Sequence, residues 1–138
     1  MSKDWVKDIV DMQSKYKTHN WVANADVEKL KAFLEFRVNF LQEELEETRT
    51  AQKDIDSEEI VDGLVDLCVV AIGTLDAFGV DPYKAWDAVL EANMAKEPGV
   101  KEGRPNPLGL PDLMKPEGWT APSHANNHGA LKNLFTKD

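Results

Sequence analysis

The chain is short of the residues that mark secreted, membrane-spanning or nucleic-acid-binding proteins. It has one cysteine and three histidines, and no apolar run approaches the ~18 residues of a membrane span. A single thiol, Cys68, excludes an internal disulfide; set in an apolar stretch, it reads as a buried structural thiol of a reducing compartment. The opening residues MSKDWVKDIV carry no apolar signal core, so a cytoplasmic protein without a membrane partner is expected. Positive charge is scarce too: 16 Lys and Arg face 25 Asp and Glu, for a net charge of -9 and a pI near 4.8. That balance argues against a nucleic-acid polymer or an anionic membrane as partner, since both need a basic face. His19, His124 and His128 are scattered through connectors and tail without a nucleophile partner, and read as solvent-exposed.

What is present is helical periodicity. An amphipathic helix is expected over 3–17, then a polar connector over 19–25 holding Trp21. Asp26 is an N-cap for a long helix to about Lys53, on which Val27, Leu30, Leu34, Val38, Leu41 and Leu45 repeat at three- and four-residue steps. The connector DID leads to a second long helix, capped by Asp56 and closed by Gly79. Asp81 and Pro82 open a further helix to about Ala95. Six of the seven prolines and half of the glycines then crowd 98–122, which reads as an extended arm, with one helical turn possible at 130–135 and no strands.

The expected fold is therefore all-α: a four-helix core with a long antiparallel hairpin and a Pro/Gly-rich C-terminal arm. Residues 1–97 form the helical domain, and 98–138 are its arm and tail. From Leu64 to Leu75 the second long helix is apolar nearly all round, more than four helices of this length can enclose. A second copy of the chain is expected to cover part of it, in a homo-oligomer.

Into that apolar helix run Glu59, Asp62 and Asp66, which at about 100° per residue stack in one column. The other long helix carries Glu43-Glu44-Leu45-Glu46-Glu47. Alone, a Glu-rich run is most often a solvated helix face. Counting outward from the connector changes that reading. Glu47 and Asp62 lie at matched distances, as do Glu44 and Asp66, so the hairpin sets them level. Facing carboxylates repel unless a cation joins them, and hard oxygen ligands suit Mg²⁺, or Mn²⁺ in its place. Mg²⁺ completes its shell with substrate phosphates, which points to phosphate chemistry.

EELEE, containing E-E-x-x-E, followed by D-x-x-x-D-L in an apolar helix, resembles the all-α nucleoside triphosphate pyrophosphatases. That superfamily includes MazG-like proteins, dimeric dUTPases and phosphoribosyl-ATP pyrophosphohydrolase. EANMAK at 91–96 is similar to the family's Asn-x-x-Lys segment, and KPEGW at 115–119 to the tail of its phosphoribosyl-ATP pyrophosphohydrolase-like branch. The resemblance, over about residues 25 to 122, implies Mg²⁺-dependent cleavage of a nucleoside triphosphate to a monophosphate and pyrophosphate. It makes Glu43, Glu44 and Glu47 catalytic metal ligands, and Asp66 the closing aspartate of the second helix. The family usually has Glu three positions earlier, where this chain has Gly63; Asp62 is then the replacement, and a register using Glu59 with Asp62 is the alternative. Asn93 and Lys96 would contact phosphate or sugar, and Lys115, Lys101 and Arg104 would close over the triphosphate. Trp119, Trp21 or Tyr16 could stack on the base, although an aromatic in a connector more often packs on the core. The competing reading is a non-catalytic helical dimer that acts as an interaction module; dUTP and phosphoribosyl-ATP remain alternative substrates of the same fold.

Overall fold

The computed structural model describes residues 3–135. In chain order they form α1 (Trp5–Lys15), α2 (Thr18–Asn24), α3 (Val27–Lys53), α4 (Ser57–Ala77), α5 (Pro82–Met94), β1 (Glu97–Gly99), β2 (Asp112–Met114) and a short 3-10 helix (Gly129–Asn133). The described residues cluster into two compact units, 3–82 with 128–135, and 83–127. The fold is mostly helical, with a long antiparallel helix pair. No single helix among the described residues is long and apolar enough to cross a membrane.

The first unit is built on the α3–α4 hairpin. Asp26 caps α3 by accepting from the Lys29 N–H at 2.8 Å, and Asp56 caps α4 by accepting from the Glu59 N–H at 3.1 Å. Both C-termini close alike. Gly79 at φ 77° and the following Val80 donate back to Asp76 and Leu75, and Ile55 at φ 55° with Asp56 donates to Gln52 and Ala51. The left-handed position suits Gly79, but Ile55 is β-branched and pays steric strain there. That strain makes the connector only three residues long.

The seam between the two helices departs from the expected leucine stripe. Val27, Val38 and Leu45 of that stripe stay exposed, while Leu30 and Ala51 are buried and Arg37, Leu41, Glu44 and Thr48 are partly buried. The packed face of α3 is thus turned toward the Arg37–Glu44–Thr48 side. The cause lies on α4. A Cβ at Gly63 would collide with Thr48 Oγ1, and one at Gly73 would lie 2.7 Å from Arg37 Nη2. Two glycines let polar side chains of α3 approach the α4 backbone where a larger residue would hold the helices apart.

Three expectations need correction. The connector over 19–25 is a helix: Lys17 at φ 60° ends α1, and α2 begins at Thr18. Its residues THNWVAN have weak helix propensity, so packing forms it: Val22 is buried, and the Trp21 ring lies 5.3 Å from Phe33. His19 is no free surface histidine, because its Nε2 meets Asp76 Oδ2 at 2.6 Å and ties α2 to the end of α4. Cys68 is exposed. It belongs to a stripe with Val61, Leu64 and Val65 on the side of α4 opposite Gly63, Val70 and Gly73. The core of this unit gathers Val22, Leu30, Ala77, Leu134 and Phe78, the last only 1% exposed.

In the second unit α5 starts at Pro82, as its N1 preference anticipates. The arm is not strand-free: β1 and β2 pair antiparallel, Glu97 opposite Met114, Pro98 opposite Leu113 and Gly99 opposite Asp112. Three-residue strands containing a proline show no readable alternation, which is why the ladder escapes a reading by periodicity. The turn between them is held by Asp112, whose Oδ2 accepts from the Lys101 N–H at 3.0 Å.

Candidate functional site

Two close approaches set the register of the α3–α4 seam. Thr48 lies against Gly63, and the Arg37 guanidinium lies across Gly73. Each joins positions almost equally far from the Ile55 turn. The same register sets Glu44 level with Asp66 between them, and Glu47 level with Asp62. Helix periodicity puts Arg37, Glu44 and Thr48 on one face of α3. Glu44 and Asp66 are partly buried along the seam, whereas Glu43, Glu47 and Asp62 are exposed.

The electrostatics agree with this placement. The Glu44 carboxyl is held above its ordinary pKa, first by loss of hydration and then by the carboxylates of Glu47, Asp66, Asp62 and Glu43. The four other acids expected from the sequence therefore all act on Glu44. No three His, Cys, Asp or Glu side chains among the described residues are grouped closely enough to hold a metal ion. Beside these acids a recess of about 350 Å³ at the connector end is lined by Glu46, Glu47, Asp54, Asp56 and Glu59, which extends the negative surface.

Gly63 is packed against Thr48. A side chain at position 63 would strike Thr48, whose hydroxyl donates to the Glu44 carbonyl at 2.8 Å. Any larger residue there would require Thr48 or the helix spacing to give, whereas the adjacent Asp62 is exposed. Arg37 was not singled out by the sequence pattern. Its Nε donates to Thr74 Oγ1 at 2.9 Å and its Nη2 to the Val70 carbonyl at 3.1 Å, with its guanidinium carbon 5.9 Å from the Phe33 ring and 6.0 Å from Phe40. Burial lowers its pKa, and no carboxylate among the described residues pairs with it. The signal was a lone arginine among Phe33, Phe36 and Phe40. Gln13 of α1 completes the clasp by donating to the Gly73 carbonyl at 2.6 Å.

The expected phosphate-binding residues fall in the second unit. Asn93 is exposed in the last turn of α5. Lys96 and Lys115 both lie over the Trp119 ring, their ammonium groups 5.3 and 5.1 Å from its centroid. Trp119 Nε1 donates to the Ala92 carbonyl at 2.8 Å, so the ring is pinned to α5. Lys101 and Arg104 sit instead at the hairpin turn, where Arg104 is 3.9 Å from Asp112.

Residues 15–93, more than half of the chain, match the family model described as phosphoribosyl-ATP pyrophosphohydrolase. The chain belongs to this family, and its activity is of the nucleotide pyrophosphohydrolase type. Comparisons with curated proteins and with solved structures returned no match. The matched span contains all five acids and Asn93, and ends before Lys96.

Proposed function

We propose that this chain hydrolyses a nucleoside triphosphate between the α and β phosphates, with Mg²⁺ or Mn²⁺ held by Glu43, Glu44, Glu47, Asp62 and Asp66. The observation that carries the reading is Glu44: it lies on the packed seam among the carboxylates of Glu47, Asp66, Asp62 and Glu43, from both helices, loss of hydration and these charges raise its proton affinity, and it forms no salt bridge among the described residues. The donor set is all oxygen, as a hard divalent ion requires. When bound, the ion supplies neutralisation of charge on the phosphates. Water adds to the α-phosphorus, the bond from that phosphorus to the bridging oxygen breaks, and the water proton passes to a carboxylate. One of Glu43, Glu44 and Glu47 would take that proton, the one left free of the ion. The other two fix the remaining oxygens.

The second unit has a separate duty in this proposal. Asn93, Lys96 and Lys115 contact phosphate or sugar, with Lys101 and Arg104 as weaker contributors because Arg104 already answers Asp112. The open stripe Val61, Leu64, Val65 and Cys68 supports a second copy of the chain as partner, in a dimer or tetramer. The family match favours phosphoribosyl-ATP as a second candidate substrate, which presents the same triphosphate chemistry. The deciding experiment is a panel of canonical and modified (d)NTPs and phosphoribosyl-ATP with Mg²⁺. Pyrophosphate as first product supports the reading; orthophosphate as first product overturns it.

A further inference from the structure

We infer that Trp119 is a positioning residue that holds Lys96 and Lys115 as a two-pronged clip for a diphosphate group. The inference rests on the pyrophosphohydrolase reading for its biological substrate, but its physical basis lies wholly within the second unit. The β1–β2 register pairs Glu97 with Met114, and one further step sets Lys96 opposite Lys115. Like charges directly opposite each other on an antiparallel pair are destabilising. Here the ladder ends by placing two ammonium groups together, and neither has an ion-pair partner among the described residues.

What holds them is the indole. Both ammoniums lie within cation–π range of the same ring, at 5.3 and 5.1 Å from its centroid. The ring cannot swing away with them, because its Nε1–H is committed to the Ala92 carbonyl at 2.8 Å and Ala92 is buried in α5. The two charges are therefore at most ~10 Å apart, a geometry that follows from the ring distances. A diphosphate carries anionic oxygens at both ends and can answer two such points at once; an orthophosphate satisfies one and leaves the other.

A cavity of about 550 Å³ opens beside this ring, lined among others by Gly118, Trp119, Thr120 and Ser123, whose hydroxyls offer further donors. Glu91 and Glu117 also line it and keep it from being a general anion trap. The clip thus favours the pyrophosphate portion of a triphosphate and the pyrophosphate product. Lysines, being point charges on flexible stems, need this external support more than arginines would.

The test is calorimetric titration of the full chain with inorganic pyrophosphate and with orthophosphate, in chelator-treated buffer. Pyrophosphate should bind at least about tenfold tighter than orthophosphate. Trp119→Leu should weaken pyrophosphate about tenfold, as loss of two exposed cation–π contacts implies, and Trp119→Phe should restore it to within about threefold. Lys115→Met leaves the indole packing intact and should weaken pyrophosphate comparably, which guards against a folding artefact; far-UV circular dichroism checks each variant. In turnover, Trp119→Leu should raise KM more than it lowers kcat. Equal binding of the two anions by the unaltered chain, or unchanged pyrophosphate affinity in folded Trp119→Leu, overturns the clip. If the binding pattern holds but no triphosphate is cleaved, the clip stands and the functional reading fails. If triphosphate is cleaved and Trp119→Leu alters neither binding nor KM, the clip fails and the functional reading stands.

Discussion

Each unit of this protein gathers like charges, and they do so by different means. On α3 and α4 the carboxylates are spaced by helix periodicity and meet because two helices of matched length turn back at Ile55. In the β1–β2 hairpin the two lysines are far apart in sequence and meet only through strand register. The lysines are relieved by the face of Trp119. The acids have no such relief: loss of hydration and then four neighbouring carboxylates hold the Glu44 pKa above its ordinary value.

The largest effect that would sharpen this comparison is on turnover. Glu44→Gln or Asp66→Asn should lower Mg²⁺-dependent pyrophosphate release by about 100-fold or more, the scale of losing a charge-stabilising group at a reacting centre. In metal-free buffer the same Glu44→Gln should melt no lower than the unaltered chain, since it removes repulsion. A loss of both activity and stability would mean that the acids are structural.

Next in size is the seam itself. Gly63→Ala drives a methyl into Thr48 and should destabilise by roughly 1–3 kcal/mol, the usual range for overpacking. Urea unfolding measures it. The double change Gly63→Ala with Thr48→Ser tests whether clearing the Thr48 methyl allows the hydroxyl to turn aside. If the single change is silent, the close approach of α3 to α4 is wrong.

Ile55→Gly should act in the opposite direction. Relief of a β-branched residue at positive φ should stabilise by about 1 kcal/mol, after allowing for the entropy glycine adds to the unfolded chain. Because Ile55 is 86% exposed, little packing is lost with it in the single chain.

The smallest effect is on pH. Glu44 has a higher pKa folded than unfolded, so between those two values the folded state binds more protons. Its destabilising contribution is absent below the unfolded pKa and complete above the folded one. The metal-free chain should therefore lose stability through this group as pH rises across that interval. Thermal melts of the unaltered chain and Glu44→Gln should converge at the acidic end and separate toward neutrality.

Much of this was legible in the residues. Asp26, Asp56 and Gly79 marked helix ends by cap chemistry, and counting from the connector was enough to level Glu44 with Asp66. What escaped depended on partners distant in sequence. The close approach at Gly63 is visible only once Thr48 is known to lie against it, so the glycine read as a gap in a motif rather than a spacing device. Helix α2 has weak intrinsic propensity and exists through Val22 and Trp21 packing. Cys68 looked buried because its neighbours are apolar, but they form an open stripe. The pairing of Lys96 with Lys115 required the strand register, which three residues and a proline cannot announce.

The central claim is that opposed carboxylates of α3 and α4 take up a divalent ion. Calorimetric titration of the full chain with Mn²⁺, with a non-hydrolysable nucleoside triphosphate present, tests it most directly. The account predicts saturable uptake that releases protons at mildly acidic pH and disappears in the Glu44→Gln, Asp66→Asn double variant. Uptake by that folded double variant equal to that of the unaltered chain, or no uptake by the unaltered chain, would contradict it.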